Sequence, residues 1–231
     1  MTAQHSSVAS RILTSLAAIL LLSVVVVGSA CTTASTSTDT KTAPKPVNTA
    51  GAVAATMQNL QTAYDGETNA IARYGAFAAK ADRDGYHQVA ALFRAAARAE
   101  SVHAENYARV LKDLGASPTS DIQQTPALAT VTNVKTAISA ETWECETLYP
   151  QFVARAKKAH LENAAQAMNF SLKAEQAHQA LFNDALAHMN AWRSVTKTFY
   201  VCPVCGNTVT ALDFATCPVC ASPKEAFKPI K

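Results

Sequence analysis

The sequence predicts a mainly α-helical protein, in which a four-helix bundle is followed by a small domain built on four cysteines. Of its 231 residues, 49% are hydrophobic and only 7 are glycine, which argues against a β-sandwich and against a disordered chain. Apolar residues recur at helical spacing from residue 52 to about 193. Four of the six cysteines fall within residues 202–220, as in a local metal site. The net charge of only +3 does not indicate the basic surface that a nucleic-acid-binding protein needs.

Residues 1–30 have the features of an export signal. An apolar run at 12–27 follows Arg11 and is too short for a comfortable membrane span. Small residues precede Cys31, an arrangement that resembles the processing site of bacterial lipoproteins. We therefore expect lipidation of Cys31 and a location on the periplasmic face of a bacterial membrane. Cleavage after Ala30 without a lipid, and an uncleaved anchor, are the alternatives.

Residues 31–50 are rich in Thr, Ser and Pro and contain nothing to bury. This composition predicts a flexible tether between the membrane and the folded part of the chain. Contact with the membrane is therefore expected only through the amino-terminal lipid or anchor.

Breaks in the helical pattern divide residues 51–195 into four helices. They are expected at about 52–82, 86–114, 131–157 and 160–193. The first and last breaks are short and predict antiparallel hairpins, whereas the middle break of about 15 residues is long enough for a crossover along the bundle. Two hairpins joined by one long crossover form the ferritin-like version of a four-helix bundle. Pro150 lies inside the third helix and predicts a kink there.

Acidic residues and histidines interrupt the apolar stripe of every helix. They are Glu67 in the first helix, Glu100 and His103 in the second, Glu141 and Glu144 in the third, and Glu175 and His178 in the fourth. Counted from the hairpin turns, they lie at nearly the same height, and the pattern Glu-x-x-His occurs twice. Burying one uncompensated carboxylate costs several kcal/mol, so five at one level indicate bound cations. Oxygen ligands with two imidazoles suit two ions of iron, manganese or zinc.

The carboxyl-terminal cysteines form two copies of one motif. Cys202-Pro-Val-Cys205 and Cys217-Pro-Val-Cys220 each predict a tight turn, or knuckle, that brings two thiolates together. Two knuckles give a tetrahedral site for zinc or iron. Zinc would make this domain a structural ribbon and iron a one-electron carrier, and the spacing leaves that choice open. Disulfides are the alternative for an exported chain.

Residues from about 55 to 231 resemble rubrerythrin. The stretches that carry the resemblance are GETNAIARYGAFAAKA (66–81), GYHQVAALFRAAARAESVHA (85–104), AETWECETLYPQF (140–152), KAEQAH (173–178), CPVCG and CPVCASPKEAF. The resemblance implies a non-haem di-iron centre at 51–195 and a rubredoxin-like iron at 196–231. It also implies reduction of hydrogen peroxide to water in protection against oxidative stress, and a homodimer.

The resemblance further implies individual roles. The iron ligands would be Glu67, Glu100, Glu141, Glu144, Glu175 and His178. His103 would exchange with Glu144 when the centre changes oxidation state, and Tyr74 and Tyr149 would hydrogen-bond carboxylate ligands. Tyr74 follows Glu67 by 7 residues and Tyr149 follows Glu141 by 8, which returns each tyrosine to nearly the same helix face.

Several expectations concern partners and single residues. An unidentified protein would donate electrons, and the family's dimers imply that the cysteine site delivers them to the neighbouring subunit's bundle. A ferroxidase that handles iron, and a metal-binding module with a zinc ribbon, are the alternative functions. Cys145 is expected to be a small buried hydrophobe and Trp143 and Trp192 to be packing residues.

Overall fold

The computed structural model describes residues 49–231. The expected export signal, Cys31 and most of the expected tether lie outside the described residues. The helices are α1 Thr49–Arg83, α2 His87–Asp113, α3 Thr130–Trp143, α4 Tyr149–Lys158 and α5 Glu162–Ala187. Within residues 49–231, no helix combines the length and the apolar character needed to cross a membrane.

The bundle has the predicted ferritin-like topology. α1 and α2 form a hairpin that turns at Gly85, where φ is +75°. α4 and α5 form the second hairpin, whose turn includes His160 at φ 56°. The crossover between α2 and α3 is fastened along α1, because three side chains of α1 accept its backbone N–H groups: Gln61 from Thr119, Asp65 from Asp121 and Asn69 from Gln123.

The third predicted helix differs from the expectation of one helix kinked at Pro150. α3 and α4 are separated by a π-helical turn over Glu144–Leu148, in which the N–H of Tyr149 donates to the carbonyl of Glu144. Pro150 is the second residue of α4. The irregularity therefore begins six residues before the proline, and the wide turn adds one residue to the local helical repeat.

The predicted end of the fourth helix, at about residue 193, was also wrong. α5 ends at Ala187, and a separate short 3₁₀ helix covers Ala191–Arg193. Trp192 in this helix is buried as predicted and packs 6.2 Å from the ring of Phe199. Trp143 is 52% exposed, so its prediction as a packing residue was wrong.

Two apolar clusters fill the bundle on either side of its middle. One contains a set of aromatic rings in mutual contact, including Tyr74, Phe77, Phe93 and Phe182. The other contains Leu60, Tyr107, Leu111, Phe152 and Met168. Acidic residues and histidines occupy the level between these two clusters.

The last part of the chain forms a small three-stranded antiparallel sheet of strand order β2-β1-β3. β1 is Phe199–Val201, β2 is Thr208–Val209 and β3 is Lys228–Ile230. We call residues 199–231 the cysteine module. It packs against the chain's own bundle, where Asn106 donates to the carbonyl of Val204 at 2.9 Å. Just before the module, the carbonyl of Lys197 accepts from Gln88 of the bundle at 2.8 Å.

Candidate metal centre

Six of the seven predicted residues of the bundle converge at its middle. Glu67, Glu100, Glu141, Glu175, His103 and His178 are each at most 1% exposed. Glu144 differs, because it begins the π-helical turn and is only half-buried. The bundle thus buries six of the seven predicted residues together, and Glu144 is the exception.

Six of these residues form two overlapping groups. Ligand atoms of Glu67, Glu100, His103 and Glu175 lie within 4.8 Å of one another, and so do those of Glu100, Glu141, Glu175 and His178. Glu100 and Glu175 belong to both groups. Each group therefore has one carboxylate and one imidazole of its own and shares two carboxylates with the other, which is an arrangement for two neighbouring ions.

Both imidazoles turn Nδ1 toward the carboxylates. Nδ1 of His103 lies 2.8 Å from Glu100, 3.0 Å from Glu175 and 3.5 Å from Glu67. Nδ1 of His178 lies 2.7 Å from Glu175, 3.5 Å from Glu100 and 3.6 Å from Glu141. Each nitrogen is surrounded by oxygen atoms from three helices.

The outer nitrogens of the two rings contact the cysteine module. Nε2 of His103 lies 3.2 Å from the carbonyl oxygen of Cys205, and this oxygen can only accept a hydrogen bond. Nε2 of His178 lies 3.0 Å from Oγ1 of Thr208, whose own proton is donated to the carbonyl of Gly206. Nε2 of each histidine is therefore the protonated ring nitrogen. In the neutral imidazole, Nδ1 then carries a lone pair that points toward the carboxylates.

These donors fit metal ions. A neutral Nδ1 lone pair facing three carboxylates is repelled unless a proton or a cation lies between them. Three carboxylate oxygens at the centre are buried with no hydrogen-bond partner: Oε2 of Glu67, Oε2 of Glu141 and Oε1 of Glu175. Unpaired buried oxygens of this kind cost free energy that a divalent ion would offset. Oxygen and imidazole donors suit iron, manganese or zinc.

Two tyrosines donate hydrogen bonds to carboxylates on other helices, as the resemblance to rubrerythrin implied. The hydroxyl of Tyr74 in α1 donates to Oε1 of Glu141 in α3, and that of Tyr149 in α4 donates to Oε1 of Glu67 in α1. Burial, followed by the neighbouring glutamates, raises the pKa of both hydroxyls well above its usual value. The tyrosines therefore keep their protons and act as fixed hydrogen-bond donors.

The metal-free centre holds extra protons. Burial, and then the charge of Glu175, raises the pKa of Glu141 to about 7. Burial lowers the pKa of His103 and His178, but the surrounding carboxylates outweigh it and raise both values well above the usual one. Glu175 is the exception, because the two histidines overcome its burial and lower its pKa. These raised pKa values favour protonation of the centre when no metal ion is bound.

Glu144 lies outside both groups of ligands. Burial, and then the charges of Glu141 and Glu67, raises the pKa of Glu144. Its carboxylate is nevertheless close enough to the centre to feel these charges. In this structure His103, and not Glu144, belongs to a group of ligand residues. The expected exchange between Glu144 and His103 stays a prediction.

Three residues of this region were not predicted as parts of the site. Tyr107 is fully buried 6.4 Å from the ring of Tyr149 and donates to Ser171 at 2.5 Å. Thr208 comes from the distant cysteine module. The guanidinium of Arg73 lies 5.2 Å from the ring of Tyr74, and its Nε is buried without a partner. Of these three residues, only Tyr107 could have been predicted from the sequence, because it follows His103 by one helical turn.

The four cysteines of the module also converge. Sγ of Cys202 lies 3.5 Å from Sγ of Cys220, and Sγ of Cys205 lies 3.6 Å from Sγ of Cys217. All four are free thiols and lie within 4.8 Å of one another. These separations exceed the disulfide bond length of about 2.05 Å. The arrangement suits one tetrahedral ion rather than the alternative of disulfides.

Comparison with known proteins leads to the same family as the motifs. The family model described as Rubrerythrin matches residues 58–186. The chain belongs to the rubrerythrin family. Rubrerythrin-2 of Clostridium acetobutylicum is 33% identical over 185 residues, which are 76% of this chain and 96% of that protein. Nigerythrin of Nitratidesulfovibrio vulgaris is 32% identical over 177 residues, which are 76% of this chain and 87% of that protein.

Solved structures of rubrerythrin relatives share the fold. Nigerythrin in its fully reduced, all-ferrous state matches with a TM-score of 0.71 and 30% identity, over 75% of this chain and 86% of that one. Bacterioferritin of Desulfovibrio desulfuricans, at 23% identity and a TM-score of 0.58, shares the fold alone. The chain is thus a ferritin-like member of a family of di-iron oxidoreductases involved in oxidative stress.

Proposed function

We propose that this rubrerythrin-family protein reduces hydrogen peroxide to water at the centre of the bundle, with electrons supplied through an iron in the cysteine module. One observation carries the proposal: two ligand groups share Glu100 and Glu175, and both of their histidines contact the cysteine module of the same chain. A site for two ions is thereby joined directly to a site for a one-electron carrier.

The bundle residues would hold the ions and fix their surroundings. Two irons bound there would supply positive charge and two electrons, which reduction of a peroxide O–O bond requires. Glu67, Glu100, Glu141, Glu175, His103 and His178 would be their ligands. Tyr74 and Tyr149 orient the unshared carboxylates, and the two apolar clusters exclude bulk water.

Contacts within one chain support an electron path from the cysteine module. The carbonyl of Cys205 accepts from His103, so one hydrogen bond joins the backbone of a sulfur ligand to a ligand of the bundle. Delivery of electrons to a neighbouring subunit's bundle stays a prediction. The homodimer and the electron-donor protein stay predictions.

Stopped-flow oxidation of the ferrous protein tests the activity. We expect oxidation by hydrogen peroxide to be faster than oxidation by air-saturated buffer at equal oxidant concentration. A rate no faster than with oxygen contradicts a peroxidase and favours the ferroxidase. Zinc-loaded protein is the control for oxidant-dependent optical changes that do not involve iron.

Metal analysis tests the electron path. Three irons per chain support it, whereas two irons with one zinc would remove the internal carrier and favour a zinc ribbon.

We also propose export as a lipoprotein, supported by the apolar run at 12–27 and by Cys31. Mass spectrometry of protein purified from membranes should find a lipid on Cys31, and Cys31→Ala should release the protein from the membrane. An unmodified chain that starts at Cys31 would contradict lipidation.

A further inference from the structure

The two knuckles of the cysteine module have different surroundings. Cys202 and Cys205 are fully buried against the bundle, and Asn106 donates to the carbonyl of Val204 between them. In the second knuckle Cys217 is buried as well, whereas Cys220 is the one cysteine of the four that is partly exposed. An electron that arrives from outside the protein therefore meets the Cys220 side first.

The backbones of the knuckles are nevertheless equivalent. The N–H of Cys202 donates to the carbonyl of Asn207 at 3.0 Å, and the N–H of Cys217 donates to that of Ser222 at 2.7 Å. Asn207 and Ser222 each follow the second cysteine of a knuckle by two residues. The two side chains therefore occupy the same position in matching backbone turns.

The side chain of Ser222 contacts a sulfur. Its Oγ lies 3.1 Å from Sγ of Cys220. In the described residues, no other side-chain hydroxyl or amine is within hydrogen-bond distance of the four sulfurs. The equivalent Asn207 does not provide such a contact, because its Nδ2 is buried without a partner. A thiolate can only accept, so the hydroxyl of Ser222 must be the donor when Cys220 is a metal ligand.

We propose that Ser222 sets the reduction potential of the iron in the cysteine module by donating a hydrogen bond to the Cys220 thiolate. This inference rests on the proposed function, since it requires iron rather than zinc at this site. Reduction adds one electron from an external one-electron donor, breaks no bond and leaves the proton on Oγ of Ser222. The sulfurs are more negative after reduction, so the hydrogen bond strengthens and favours the ferrous form.

Spectroelectrochemical titration of the iron-loaded full chain tests the inference. For Ser222→Ala we expect a lower reduction potential, with the equilibrium constant for reduction decreased roughly threefold to tenfold. Ser222→Thr keeps a hydroxyl and should restore the original value. Thr216→Ala is the matched control, because it removes an exposed hydroxyl of the same module that contacts no sulfur.

A second measurement separates hydrogen bonding from a change in packing. Resonance Raman bands of the Fe–S bonds should shift in D₂O for the unmodified protein and for Ser222→Thr, and less for Ser222→Ala.

An unchanged potential in Ser222→Ala, an effect that Ser222→Thr does not restore, or a module that binds no iron would each overturn the inference. No peroxide is used, so a protein that fails as a peroxidase but shows these shifts would contradict the proposed function and leave the role of Ser222 standing.

Discussion

The imidazole of His103 occupies the space in which a side chain at Gly206 would begin. A Cβ at this glycine would lie 2.2 Å from Nε2 of His103, and the φ of Gly206 is +77°. Ala221 holds the equivalent place in the second knuckle at φ 61° and carries a Cβ, since that knuckle faces solvent. The close approach of the histidine, more than the turn itself, therefore requires glycine at 206.

Gly206→Ala should separate the cysteine module from the bundle. The added methyl must displace the ring of His103 or the knuckle, at a cost of about 1–3 kcal/mol. We expect a lower melting temperature, faster proteolysis in the linker 188–198, and slower electron transfer from a reduced module to the bundle. Ala221→Gly is the control. An equal effect of both variants would show that knuckle flexibility, and not contact with His103, is responsible.

The shared carboxylates should matter more for metal binding than the unshared ones. Glu175→Ala removes an oxygen ligand from both groups, whereas Glu67→Ala removes one from a single group. We expect Glu175→Ala to lose both ions of the bundle and Glu67→Ala to retain one more tightly than the other. Metal content after dialysis against a chelator measures this. Equal retention by the two variants would contradict the overlap of the groups.

Removing a tyrosine hydroxyl at the centre should weaken metal binding without unfolding the protein. Tyr74→Phe and Tyr149→Phe each leave a buried carboxylate without its donor, and loss of such an orienting hydrogen bond typically reduces metal affinity by about 10- to 100-fold. Competition with a chromophoric chelator measures the affinity. Tyr107→Phe is the control, since its hydroxyl donates to Ser171 and not to a ligand. A comparable loss in Tyr107→Phe would point to general loosening of the core.

Helical spacing was enough to predict which acidic residues lie together in the bundle. The spacing identifies the buried face of each helix, and the number of residues from the hairpin turn gives the position along the bundle axis. The spacing also placed Tyr74 and Tyr149 on the buried face, whereas their hydrogen bonds to carboxylates were implied by the resemblance to rubrerythrin. It could not predict the contacts of Gly206 and Thr208 with the histidines, since these depend on how a distant module docks. The π-helical turn at Glu144–Leu148 was missed as well, because a wide turn changes the register without a distinctive residue pattern.

The stability of the metal-free protein should fall as the pH rises. Glu141 has a pKa of about 7 in the folded, metal-free protein, and Glu67, Glu100 and Glu144 are also raised. The pKa values of His103 and His178 are raised too. A raised pKa means that the folded state binds more protons than the unfolded one, so stability is present at low pH and is lost as the pH passes the folded value. Glu175 has a lowered pKa and adds no slope above pH about 5, where it is ionised in both states.

Bound metal ions reverse this dependence of stability on pH. They replace the protons on the ligands and therefore bind more tightly as the pH rises. We expect the melting temperature of the metal-free protein to fall between pH of about 5 and 8, while the gap to the loaded protein widens. Each proton of difference contributes about 1.4 kcal/mol per pH unit. Glu141→Gln removes one titrating group from the centre and should flatten the metal-free slope. A metal-free protein that becomes more stable between pH of about 5 and 8 would contradict this prediction. It would show that the buried carboxylates are already ionised, so that the centre tolerates its negative charge without cations.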